Sequence, residues 1–178
     1  MKYHIDTIPV WDAFRLGGEC PLCTLESNTE KSYIESFLGA SVMEPDTRVE
    51  VNERGFCPHH FTLLFNAQNR LGLALMTHTY LQEIKKKFEQ VSAKLCKDIA
   101  KSSSSSASLF FSKEKHNPAT EFAQCIKQHN SSCVICERMH NTLNRYAYTV
   151  LHLWNTDPEF KAVLDRKSTR LNSSHGII

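Results

Sequence analysis

Two Cys-x-x-Cys pairs stand 113 residues apart, and the chain around them repeats. Laying 20–51 on 133–164 without a gap matches Cys20 to Cys133, Cys23 to Cys136, Asn28 to Asn141 and Thr29 to Thr142. Tyr33 likewise meets Tyr146, Leu38 meets Leu151 and Pro45 meets Pro158, while Leu22/Ile135, Glu44/Asp157, Asp46/Glu159 and Arg48/Lys161 are similar. The identities fall on both cysteines and on a proline suited to the first turn of a helix. They define a unit that runs knuckle, helix, Pro-initiated helix, knuckle. In the first copy the closing knuckle is Cys57-x-x-His60. The same offset puts its counterpart at Arg170 and Ser173, neither of which is a zinc ligand. The second copy is therefore expected to be truncated.

A separate reading of the tail leads to the same place. Residues 165–175, Asp-Arg-Lys-Ser-Thr-Arg-Leu-Asn-Ser-Ser-His, are the eleven-codon translation of a common short-read sequencing adapter. Residues 165–178 are accordingly expected to be an artefact and stand outside fold reasoning. Removing Arg166, Lys167, Arg170 and Asp165 from the totals of 21 basic and 19 acidic side chains leaves equal numbers. A nucleic-acid partner wants a basic face, and the remaining chain has no net charge to provide one. Lys85-Lys86-Lys87 is flanked by Glu83 and Glu89 and reads as a solvated helix face.

The chain length of 178 residues allows one ordinary domain or two small ones. It is long enough to bury a core without a disulfide scaffold. The longest apolar run is far short of the roughly 20 residues that span a bilayer, and the N-terminus lacks the apolar stretch of a signal peptide. A leaderless chain with Cys-x-x-Cys pairs points to a cytoplasmic, metal-binding protein. Alternating strand patterns are nearly absent, so the fold is expected to be all-α.

Helices are expected near 23–38, across 45–52 with Gly55 as a stop, and over 59–100 as one long helix or a pair. Within the last, Leu63, Leu64, Ala67, Leu71, Leu75, His78, Leu81, Ile84, Phe88, Val91 and Leu95 recur at three- and four-residue spacing. Further helices follow the second knuckle to about Trp154 and open at Asp157-Pro158. The domain reading is a zinc-binding unit at 1–100, a Ser-rich linker at 101–116, where five serines run from 102 to 106, and a truncated second unit at 117–164.

Cys20, Cys23, Cys57 and His60 make a Cys-x2-Cys…Cys-x2-His set, and three thiolates with one imidazole are what structural zinc prefers. They are expected to converge on one ion. A tetrahedron filled by protein leaves no open position for water, which favours a structural role. His59 competes with His60 for the fourth place. Cys133 and Cys136 supply two thiolates to a second site and are expected to lack a third and fourth ligand, with His129 and His140 as chance donors nearby. A thioredoxin-like redox pair at Cys20 and Cys23 is the rival reading, although no βαβ pattern surrounds it. An iron–sulfur cluster fits a mixed Cys3His set less well. Cys96 and Cys125 read as buried inert thiols, and His78 as a core histidine. No His-Glu-x-x-His, phosphate-cradling glycine loop or Gly-x-Ser-x-Gly is present.

These residues resemble a family. The opening 2–11, the knuckle Glu19-Cys20-Pro21-Leu22-Cys23, the run 42–48, Gly55-Phe56-Cys57-Pro58-His59-His60-Phe61 and the run 69–78 are similar to a family of uncharacterised bacterial proteins, a domain of unknown function. The resemblance covers about 1–164. It implies a cytosolic bacterial setting, a second Cys-x-x-Cys and, further on, a second Gly-Phe-Cys-x-x-His that this chain lacks. It implies no activity. The functional expectation is a non-catalytic zinc-binding interaction or regulatory module with a protein partner. The alternative is a thiol-disulfide oxidoreductase working through Cys20 and Cys23.

Overall fold

The computed structural model describes residues 5–16, 20–67, 69–103, 120, 123–124, 126–127 and 131–174. Among them the structure is all-α, with no strand. The helices are α1 (Thr7–Arg15), α2 (Pro21–Leu38), α3 (Pro45–Arg54), α4 (Pro58–Asn66), α5 (Arg70–Ser103), α6 (Val134–Thr156) and α7 (Pro158–Ser174), with a 3-10 turn at Ala40–Met43. Four of the seven begin on proline. Its ring presets φ for the helix, and the first turn needs no N–H from it. No helix among the described residues is long and apolar enough to cross a membrane.

The chain divides into two compact units that do not follow chain order: Met1–Glu35 with Ile135–Ile178, and Ser36–Val134. The first unit is built on Val10, Ala13, Phe14, Leu25, Leu153 and Phe160, all buried, with Trp11, Tyr146, Val150, Val163 and Leu164 packed around them. Phe160 of α7 is fully buried, with Trp11 edge-on at 5.0 Å and Phe14 at 4.9 Å. Asp157 caps α7 by accepting from the N–H groups of Glu159 and Phe160 at 3.0 and 3.2 Å. α1 is an addition to the sequence reading, which took 1–19 as mixed. Its apolar residues Val10, Ala13 and Phe14 do face one side.

The second unit packs α3 on α5, with Phe37, Val51, Leu64 and Met76 fully buried. Asn69 ties it together at a junction. Its Nδ2 donates to the Leu38 carbonyl at 2.6 Å, and its Oδ1 accepts from the Gly72 N–H at 2.9 Å, capping α5. Arg48 reaches the carbonyls of Val42 and Leu75, each at 3.3 Å, and so closes the far ends of two helical segments.

Gly55 ends α3 at φ 64°, ψ −157°, a combination other residues rarely adopt. A Cβ here would also run into the ring of Tyr80. Burial raises the Tyr80 phenol above its usual pKa of 10.0.

Three expectations are corrected here. The 59–100 stripe is two helices, and Ala67, extended at φ −75°, ψ 163°, resets the phase between them. As a result Leu71, Leu75 and Leu81 face solvent, while Leu73 and Met76 are buried. His78 is exposed and bonds Gln82 at 3.0 Å. Cys96 is an exposed free thiol, because α5 outruns its packing partners toward its C-terminal end. Cys125, His129, the Asn117-Pro118 helix start and most of the serine linker lie outside the described residues.

Candidate metal centre

The three knuckles share one local construction. Cys57 is the N-cap of α4, with extended backbone at φ −69°, ψ 163°, Pro58 at the first helical position and His60 at the third. Cys133 precedes α6, with Val134 first and Cys136 third. Cys20 precedes α2, with Pro21 first and Cys23 third. An N-cap residue and the third helical residue stand on the same side of the first turn, so two donors can address one point. The partial positive charge of a helix N-terminus also favours thiolate.

The structure gathers Cys57, His60, Cys133 and Cys136, whose ligand atoms all lie within 4.8 Å of one another. The His60 Nδ1 stands 3.2 Å from the Cys57 sulfur and 3.4 Å from the Cys133 sulfur. His60 and Cys133 are buried, Cys57 is half-buried and Cys136 is exposed. The approach is set by backbone. Val134 N–H donates to the Gly55 carbonyl at 3.1 Å, and Ser132 Oγ donates to the Arg54 carbonyl at 2.7 Å. These two bonds dock the turn before α6 against the end of α3, next to the Cys57 knuckle.

The donor set fits zinc. Bonds of about 2.3 Å to sulfur and about 2.0–2.1 Å to nitrogen place the two atoms about 3.5 Å apart across a tetrahedral edge. The observed sulfur–nitrogen distances of 3.2 and 3.4 Å need a shift of only a few tenths of an ångström. Three sulfurs and one imidazole also suit zinc better than the oxygen-seeking calcium or magnesium. Bound there, the ion would link α4 to α6, with no coordination position left for substrate.

Cys57 and His60 thus come together with the second knuckle. His60, rather than its exposed neighbour His59, turns its ring nitrogen to the sulfurs. Cys20 and Cys23 are joined to each other by a disulfide. His140 is exposed and bonds Asn144 at 3.0 Å. Sequence spacing offered two routes to a Cys3His set from Cys57 and His60, through 20 and 23 or through 133 and 136. No local signal separates them, because both knuckles have the same internal pattern.

No curated protein and no solved structure matches the chain. A family model matches residues 1–172, a span that takes in both knuckle-bearing segments and the first part of the 165–178 tail. The chain therefore belongs to a family of unknown function, DUF6062.

Proposed function

We propose that this protein is a zinc-binding helical module of the bacterial cytoplasm, non-catalytic, in which the ion is held by Cys57, His60, Cys133 and Cys136 and stabilises a surface for a protein partner. The observation that carries the reading is the gathering of these four donors at the starts of two helices. Their separation in sequence is large: His60 and Cys133 are 73 residues apart. An ion held by both ends ties this long loop, which is work for a structural metal. Metal analysis of protein purified anaerobically should give close to one zinc per chain. Cys57→Ser or Cys133→Ser should remove it. Metal-free protein with unchanged folding would refute the proposal.

A second reading draws on the Cys20–Cys23 disulfide. A Cys-x-x-Cys at a helix start is the construction of thiol oxidoreductases. In that role the disulfide would accept two electrons from a substrate dithiol, leaving two thiols here and a disulfide there. Turnover with a dithiol substrate, lost in Cys20→Ser but kept in Cys133→Ser, would favour it over the zinc module.

A further inference from the structure

The first and second knuckles are built alike, yet their surroundings differ. Ile135, between the second pair of cysteines, is fully buried, whereas its repeat counterpart Leu22 is 55% exposed. The helices that follow differ in the same sense. Leu38 on α2 is 8% exposed, whereas Leu151, its counterpart on α6, is 64% exposed, and Trp154 stands open three residues further on.

One segment accounts for both buried cases in the first copy. Residues 55–60 close the second knuckle, through the Gly55 carbonyl, Cys57 and His60. Residues 69–72 cover the end of α2, through the Asn69 bond to Leu38 and the close approach of Gly72 to Val42. The closing segment of copy one therefore covers its own helix and supplies ligands to the other copy's knuckle. Both surfaces left open, Leu22 and Leu151 with Trp154, are those that the equivalent segment of copy two would cover.

We infer that Cys20 and Cys23 are the sulfur half of a second zinc centre, completed by a Cys-x-x-His pair in the closing segment of the second repeat. Each repeat's Cys-x-x-His then serves the other repeat's Cys-x-x-Cys. The local geometry suits the role. Cys20 caps α2, and its sulfur accepts the Cys23 N–H at 3.2 Å, an amide-to-sulfur bond that steadies a thiolate once the pair is reduced. The inference rests on the reading of Cys57, His60, Cys133 and Cys136 as the first centre. It goes beyond that reading by giving the first knuckle a metal, a partner pair and a place in the repeat.

The test begins with the gene. Its reading frame from Leu164 onward should carry Cys-x-x-His near positions 170 and 173, followed by an apolar helix; a frame without such a pair overturns the inference. The protein with that continuation is then reduced anaerobically with a phosphine and titrated with cobalt(II), whose thiolate bands report each centre, and with zinc. Two equivalents are expected. Cys20→Ser should leave one, Cys133→Ser should leave the other, and Cys20→His should keep two, with helical circular dichroism checking that each variant folds. Two equivalents in Cys20→Ser, or a single equivalent that survives it, refute the second centre. Full binding in Cys133→Ser together with loss in Cys20→Ser refutes the first centre instead, so the two failures are told apart.

Discussion

Substituting Cys133 by serine should cost the second unit a large share of its stability. The ion would close a loop whose ends, His60 and Cys133, are 73 residues apart. By the loop-entropy relation used for cross-links, closing a loop of this length is worth about 4 kcal/mol at 25 °C. Domains are stable by only about 5–15 kcal/mol, so this is a quarter or more of the total. For a unit of this size each kcal/mol moves Tm by about 4–8 °C, which gives a fall of roughly 15–30 °C. The assay is thermal and urea unfolding of the zinc-loaded chain, the chelated chain and Cys133→Ser, with hydrogen exchange to locate the change. Protection should fall around 55–66 and 131–140, whereas the Val10, Phe14 and Phe160 core should keep its own. Coincident unfolding of all three samples would refute the reasoning, because an unbound or dispensable metal is the only way to reach that result.

Other outcomes follow from packing and charge. Phe160→Ala removes a fully buried ring that touches Trp11 and Phe14, and should cost about 3–5 kcal/mol in urea unfolding; a loss below about 1 kcal/mol would contradict this core. Gly55→Ala combines a positive φ with a Cβ driven into Tyr80, and should cost about 2–4 kcal/mol while also weakening zinc binding through the Val134 bond; equal zinc affinity would show that the bond does not position the site. Tyr80 keeps its proton to higher pH when folded than when unfolded, so stability should fall as pH rises from about 10, and Tyr80→Phe should flatten that fall. An alkaline profile identical in the variant would assign the loss to other groups.

Much of this structure is legible in the residues, and the exceptions have physical causes. Helix starts at Pro21, Pro45, Pro58 and Pro158 follow from what proline allows, and the stop at Gly55 follows from its freedom at positive φ. The metal donors are recognisable one by one as N-cap and third-position residues. Their grouping is not, since spacing within a knuckle says nothing about which knuckle lies opposite. That choice is made by tertiary contacts such as Val134 to Gly55, between residues far apart in sequence. The stripe along α5 was displaced for a smaller reason. A single extended residue, Ala67, rotates everything after it, and three- and four-residue spacing on either side cannot register the rotation.

The order in which these donors are made has its own consequence. At about 5–20 residues per second, Cys133 follows His60 out of the ribosome by roughly 4–15 s. During that interval Cys57 and His60 exist as an open pair, available to any passing metal or oxidant. The first unit waits longer still, since Val10 and Phe14 must be held from water until Phe160 arrives near the end of synthesis. Assembly of this chain is therefore a late event, in which the same last stretch of polypeptide delivers the missing ligands and the missing core ring.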